Sequence, residues 1–308
     1  MEAGDSERLA VQLGPLSLKN PILTASGTFG YGLEFSDFVD LASLGGICTK
    51  GLSLKEHAGN APPRICETPA GMLNAIGLQN VGIEAFLTEK MPKLRELGAT
   101  VIPNVWGDLE EDYVAVVRAL ESADGLAAIE LNISCPNVQK GGMLFGNSPR
   151  LTAALVTRVR KATRRPLIVK LSPNAPDLVE SARAAHEAGA DILSLVNTFV
   201  GMAIDPETAK PRLSFGTGGL SGPAIKPLAV RMVYQVARAL PGVPLMGIGG
   251  IASLEDVLEF LAAGASAVQI GTANFRDPGV SGRLVGELAA YCEKRGVAAS
   301  SLTGRALR

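Results

Sequence analysis

Three features of the 308-residue sequence predict a closed (β/α)8 barrel of the TIM type, an α/β fold. Short runs rich in Val, Ile and Leu recur without polar alternation, as the strands of a parallel sheet covered on both faces require. Longer amphipathic stretches separate them. A helix exit also repeats, as Leu97-Gly98-Ala99, Ala188-Gly189-Ala190 and Ala263-Gly264-Ala265. Each exit leads into an apolar strand that ends in a polar or glycine position: Asn104, Asn197-Thr198 and Gly271-Thr272. A repeated βα unit is what such a barrel is built from. An open doubly wound sheet is the alternative, but no GxGxxG follows the first strand. Barrels of about this length fold as one unit, so a single domain over residues 1–308 is expected, with extended loops at the carboxyl rim of the strands.

The elements follow in order. The first strand, 21–24, ends at Ala25-Ser26-Gly27-Thr28, and the second, 46–49, at Thr49-Lys50-Gly51. The third, 100–105, carries Asn104. The fourth, 127–133, runs through Glu130-Leu131-Asn132-Ile133 into Ser134-Cys135-Pro136-Asn137. The fifth, 166–171, ends at Lys170 and the sixth, 191–196, at Asn197-Thr198. The seventh, 243–248, runs into Gly249-Gly250, and the eighth, 265–270, into Gly271-Thr272. Helical periodicity covers 34–41, 82–97, 109–121, 149–163, 175–188, 224–240, 254–263 and 280–294. Glycines just past several of these ends fit helix C-caps. Two stretches break the rhythm: 51–80, which holds Pro62, Pro63 and Pro69, and 201–222. Both read as loops, and loops this long in a compact fold are usually functional.

Composition narrows the class of function. The charge balance is 29 − 30 = −1, which excludes a strongly basic nucleic-acid binder. No apolar run reaches the length of a membrane span, and the polar start MEAGDSERLA lacks the features of a signal peptide. Cys48, Cys66, Cys135 and Cys292 lie far apart with no CxxC pair, which reads as reduced thiols in a cytoplasmic protein. His186 falls in a helical stretch as a solvated residue, and His57 in a polar loop. Neither has a second ligand at metal spacing, so no metal site is expected.

Active residues of such barrels gather at the carboxyl ends of the strands. Solvent contact alone explains some of the Ser and Asn there. It explains Lys50 and Lys170 poorly, because a lysine stem at an apolar strand end has to be desolvated. Gly249-Gly250 and Gly271-Thr272 offer backbone N–H groups where barrels bind phosphate, a feature that isomerases, aldolases and flavin enzymes share. Tight strand-to-helix turns are the plainer explanation of the same glycines. Cys135 stands just past a strand, before a proline that forces a turn, and is read as presented to the barrel mouth. Cys48, inside a strand, and Cys292, inside the last helix, are read as structural.

Together the motifs resemble one family along nearly the whole chain. They are NPILTASGTFGYG (20–32), TKG (49–51), GNAPPR (59–64), GMLNAIGLQN (71–80), ELNISCPNVQKGGMLFG (130–146), VKLSPN (169–174), GGLSGPAIKP (218–227), GIGG (247–250) and ASAVQIGTANF (265–275). The chain resembles the class 1 dihydroorotate dehydrogenases, most of all the class 1B catalytic subunit. The resemblance implies a barrel that binds one FMN and oxidises dihydroorotate to orotate in pyrimidine synthesis. It matches Cys135 to the catalytic base. It places Ser26, Lys50, Gly51, Asn104, Asn132, Lys170, Val196, Gly222, Gly249, Gly250, Gly271 and Thr272 around FMN. It places Lys50, Asn74, Ala75, Ile76, Gly77, Leu78, Asn132, Asn197 and Thr198 around the substrate. It also implies a homodimer, and a second subunit carrying FAD and a [2Fe–2S] cluster that passes electrons to NAD, with no nucleic acid or membrane as partner. This chain has neither an iron–sulfur cysteine cluster nor a dinucleotide fingerprint, so those cofactors would lie on the other subunit. A fumarate-linked class 1A enzyme and a related dihydropyrimidine oxidoreductase are the alternatives.

The chemistry fits that resemblance. Forming the ring double bond removes a proton at C5 and a hydride at C6; a Cys135 thiolate suits the first and a flavin the second. Lys170 suits the charge near N1 and the C2 oxygen of a reduced flavin, and Lys50 the substrate carboxylate. Asn74, Asn132, Asn137 and Asn197 can match the donors and acceptors of the ring. The segment 138–146, with Gly141, Gly142 and Gly146, reads as a lid over Cys135. A rival reading makes Lys170 the Schiff-base lysine of an aldolase or isomerase; it needs no flavin, so a yellow protein decides against it. A non-catalytic binding subunit would need no thiol at the rim.

Overall fold

The computed structural model describes residues 8–134 and 145–308. The chain enters through a hairpin, β1 (Val11–Leu13) and β2 (Leu16–Leu18), paired antiparallel. Val11, Leu13, Leu16 and Leu18 are buried, while Gln12 and Ser17 face water. The turn residue Gly14 has φ +53, and a Cβ there would stand 3.4 Å from the Asp191 carbonyl and 3.6 Å from Pro244. Asp191 and Pro244 each precede a barrel strand, so the hairpin closes the amino end of the barrel.

The barrel strands are β3 (Ile22–Thr24), β4 (Gly46–Cys48), β7 (Val101–Ile102), β8 (Asn104–Val105), β9 (Ile129–Asn132), β10 (Leu167–Lys170), β11 (Ile192–Leu195), β16 (Leu245–Ile248) and β17 (Ala267–Ile270). Their order is β7-β4-β3-β17-β16-β11-β10-β9-β8, with every neighbouring pair parallel. The two ends of that order are halves of one strand. Pro103 divides it because proline has no N–H to give the ladder. The first half pairs with β4 and the second with β9, which closes the expected eight-stranded barrel. The strands are buried on both faces, as their unalternating sequences require.

The outer helices are α1 (Gly82–Ala85), α2 (Met91–Glu96), α3 (Glu110–Glu121), α4 (Pro149–Arg160), α5 (Leu178–Glu187), α6 (Lys226–Ala239), α7 (Leu254–Ala262) and α8 (Val280–Arg295). The glycines of the repeated exit hold positive φ, +64 at Gly98, +110 at Gly189 and +120 at Gly264. Side-chain caps fix the starts of α5 and α7: Asp177 accepts from the Glu180 N–H, and Ser253 from that of Asp256. The helix expected over 34–41 is absent. That stretch holds 3₁₀ turns at Leu33–Phe35 and Leu41–Ser43, the first entered from Gly32 at φ +96, a conformation that does not lead into an α-helix. The helix expected over 82–97 is interrupted by a π turn, Phe86–Lys90. Pro92 follows directly; lacking an N–H and crowding the preceding turn, it shifts the hydrogen-bond register.

The two stretches expected as loops carry most of a sheet instead. β5 (Ile65–Thr68) and β6 (Gly71–Asn74) form a hairpin, and β12 (Phe199–Gly201) and β15 (Gly218–Ser221) join it in the order β12-β15-β6-β5. A small hairpin of β13 (Ile204–Asp205) and β14 (Lys210–Pro211) sits in the same excursion. Leu73, Ala75 and Leu213 form a separate small core beneath it. Among the described residues no helix is long and apolar enough to cross a membrane.

Candidate active site

Alternate residues of a barrel strand point inward. On β9 these are Glu130 and Asn132, and they organise the polar interior. Glu130 is fully buried. Its Oε1 accepts a 2.7 Å hydrogen bond from Asn104 Nδ2 on β8. Its Oε2 accepts from Ser194 Oγ on β11 at 3.0 Å and from Gln269 Nε2 on β17 at 2.7 Å. Lys170 at the end of β10 is 5% exposed, with Nζ 3.9 Å from Glu130 Oε1. Cys48 on β4 faces the same charges; burial first and then Glu130 push its thiol well up, so it is an inert core residue, as its strand position suggested.

Above this layer Asn132 Oδ1 accepts from Asn197 Nδ2 at 3.2 Å and from Ser134 Oγ at 3.3 Å. Tyr113 on α3 donates to the Asn132 carbonyl at 2.8 Å, tying the strand end to its outer helix. Asn197 Oδ1 accepts from the Thr198 N–H at 2.8 Å. A Cβ on Gly219 would come within 2.1 Å of Thr198 Oγ1, and Gly219 pairs with Asn74 across the rim sheet. Asn197, Thr198 and Asn74 therefore share one wall. The rest of the run, Ala75 to Leu78, folds against Asn60, which bonds the carbonyls of Ala75 and Ile76 at 3.0 Å each. Gly77 and Leu78 hold φ of +73 and +58.

Leu78 reaches back to the barrel mouth. A Cβ on Gly51 would lie 3.0 Å from Asn104 Oδ1, 3.2 Å from Trp106 and 3.9 Å from Leu78, so the three close on a bare backbone. Lys50, beside it, is half-buried, and its N–H donates to the Gly30 carbonyl at 2.8 Å. Burial pulls its ammonium below the ordinary lysine range, the Arg64 charge adds to this, and Glu34 opposes it.

The glycines gather across the mouth. Gly249, Gly250 and Gly222 have φ of +129, +77 and +95. A Cβ on Gly250 would meet the Gly222 carbonyl at 2.9 Å, and one on Gly222 the Gly71 backbone at 2.6 Å. Thr272 Oγ1 bonds Ser221 Oγ at 2.8 Å, next to Gly222. Gly271 faces Ala25, which precedes Ser26, and the buried Val196 donates from its N–H to the Ile248 carbonyl at 3.0 Å, one residue before Gly249. A flavin fits this donor set: a bare backbone cradle for phosphate, a buried ammonium, and a buried acceptor, Asn104 Oδ1, that has no partner.

Among the described residues, the expected contact positions stand at or just past the carboxyl ends of the barrel strands and on or next to the rim sheet. Cys135, Asn137 and most of the expected lid lie outside the described residues. Glu130, Ser194 and Gln269 are site residues that the sequence reading gave no role. Their signal was a carboxylate inside the apolar run AIELNI. His57 accepts from the Gly59 N–H at Nδ1 at 3.1 Å and packs edge-on to Trp106 at 5.2 Å, and His186 is exposed on α5. No group of His, Cys, Asp and Glu among the described residues could hold a metal.

Comparison with known proteins gives a consistent result. The family model described as dihydroorotate dehydrogenase matches residues 8–291. The chain is 55% identical over 290 residues to the "dihydroorotate dehydrogenase B (NAD(+)), catalytic subunit" of Geobacter sulfurreducens, covering 94% of this chain and 95% of that one. The protein of that name from Pelobacter propionicus is 55% identical over 297 residues, covering 96% and 97%. The one from Bacteroides thetaiotaomicron is 52% identical over 288 residues, covering 94% and 95%.

Proposed function

The chain belongs to the dihydroorotate dehydrogenase family, and from that premise we propose how its rim carries out the oxidation of dihydroorotate to orotate in pyrimidine biosynthesis. The observation that carries the reading is the buried Lys170 ammonium and the unpartnered Asn104 acceptor opposite the glycine cradle. The flavin this site holds is FMN, which supplies the hydride acceptor when bound. Gly222, Gly249, Gly250, Gly271 and Thr272 take its phosphate through backbone N–H groups and a hydroxyl, with Ser26 and Val196 beside them. Gly51, Asn104, Asn132 and Lys170 line its ring.

Lys50 binds the substrate carboxylate, with Arg64 adding positive charge at the same edge. Asn74, the backbone of Ala75 to Leu78, Asn132, Asn197 and Thr198 orient the ring through hydrogen bonds. Cys135 takes the proton as general base. Ser134, the residue before it in the sequence, accepts from Asn197 at 2.8 Å through its hydroxyl.

The electron route and the setting are parts of the same proposal. Electrons pass to NAD through a separate iron–sulfur FAD subunit, in keeping with the "NAD(+)" and "catalytic subunit" of the relatives' names. The exposed apolar Ile65, Val200, Met202 and Ile204, on the rim sheet and its small hairpin, support a homodimer. Cys48, Cys66 and Cys292 are free thiols, in keeping with a reducing cytoplasm. The test is anaerobic addition of dihydroorotate to the FMN-loaded chain. Bleaching of the flavin band is expected; a flavin that stays oxidised overturns the reading.

A further inference from the structure

Glu130 is a fully buried carboxylate whose contacts come from four other strands of the barrel. Such a charge is a weak source of stability, because the loss of hydration offsets most of what its partners return. Its arrangement points elsewhere. Two amides and a hydroxyl donate to it, which an ionised carboxylate, an acceptor only, satisfies. Yet the far atoms of both amides, Asn104 Oδ1 and Gln269 Oε1, are buried without a partner. A network serving stability alone would pair them.

The carboxylate fixes which way the Asn104 amide faces. Nδ2 is drawn inward to Glu130, so Oδ1 is turned out toward Gly51 and the mouth. Lys170 is held differently. At 3.9 Å its ammonium is paired by charge but lies beyond hydrogen-bond reach, so its N–H donors are not spent on the carboxylate. One buried group thereby presents a fixed acceptor and an available cation to the same place.

From this geometry, and resting on the flavin reading above, we infer that Glu130 is a positioning residue that orients Asn104 and Lys170 toward the flavin and holds its reduction potential down. The sign follows from charge. Reduction brings negative charge next to Lys170, and a second fixed negative charge behind that lysine opposes it. Glu130→Gln removes the charge at nearly constant volume. It also sets an amide N–H against the ring of donors, which turning over the Asn104 amide relieves. Ser194→Ala does the opposite: it takes one donor from the carboxylate and leaves its charge less compensated, without replacing a residue assigned to flavin contact.

The experiment is the midpoint potential of bound FMN, by equilibration with a redox dye, in the full chain and both variants. Glu130→Gln is expected to shift the two-electron equilibrium about tenfold toward the reduced form, about 30 mV more positive. Ser194→Ala is expected to shift it the other way. A purely structural role moves both variants alike or neither, and either pattern overturns the inference. If Glu130→Gln fails to fold or to load FMN, Ser194→Ala decides alone: a lowered potential supports the inference, and an unchanged or raised one defeats it. A wild type that takes up no FMN defeats the flavin reading and this inference together; a loaded wild type with unmoved variants defeats only this one.

Discussion

Cys135→Ala is expected to load FMN normally and to lose about 10²–10⁴-fold in dihydroorotate oxidation, the usual cost of a missing general base. Rapid-mixing reduction checks it, and a near wild-type rate removes Cys135 from the proton step. Lys170→Ala is expected to slow flavin reduction far more than Cys48→Ala, although both side chains are buried in one barrel. Lys170 has its ammonium donors available, whereas burial keeps the Cys48 thiol protonated. Equal effects in a single-turnover comparison would make Lys170 only structural. Lys50 gives a pH prediction. Burial lowers its pKa, so the cation is lost as pH rises through a value below the ordinary lysine range. KM for dihydroorotate is expected to climb over that alkaline window at steady kcat, and Lys50→Arg, which stays charged, is expected to flatten the climb. Stability runs the other way: the unfolded chain holds more protons there, so charging this lysine opposes folding below the window.

The last helix separates two uses of glycine. Gly286 lies exposed in α8, and a Cβ built there meets nothing within 4 Å. Gly286→Ala is expected to stabilise the fold by about 0.5–1 kcal/mol through helix propensity. Gly296 caps the same helix with φ +64, also in open space. Gly296→Ala is expected to cost about 1 kcal/mol through left-handed strain alone. Denaturant midpoints of the two variants should move in opposite directions with flavin loading unchanged; movement in one direction would mean that solvation, not backbone conformation, dominates. Elements were also where the sequence was least legible. Periodicity located α3 to α8 well, because each buries one apolar stripe. It failed over 34–41 and at 86–90, where Gly32 and Pro92 change the backbone without changing the pattern of apolar residues.

At the scale of the whole molecule, the chain alone is expected to reduce artificial dyes with dihydroorotate but not NAD. Nothing in its sequence resembles a nicotinamide fingerprint, so electrons have to leave through the surface near the flavin. Steady-state assays of the FMN-loaded chain, first alone and then with an iron–sulfur flavoprotein subunit, test this. Efficient NAD reduction by the chain alone would sink the partner, and fumarate reduction alone would move the enzyme to the fumarate-linked class.

The sequence determined the barrel, because eight unalternating strands and the thrice-repeated glycine exit are local signals that survive without partners. It also pointed to candidate contact residues such as Lys50, Asn104, Asn132, Lys170, Gly249 and Gly271, because these stand at or just past barrel strand ends, where the chain itself marks the rim. Tertiary structure decided what depends on pairing across long separations. The rim sheet joins Asn74 to Gly219, and neither short strand carries a pattern strong enough to be seen alone. The hairpin over 11–18 reads as barrel floor only once Asp191 and Pro244 are beside it. Glu130 is the sharpest case: the sequence shows a carboxylate in an apolar run, but closure of the barrel brings Asn104, Lys170, Ser194 and Gln269 around it. What a buried charge does is set by neighbours that only the closed sheet supplies.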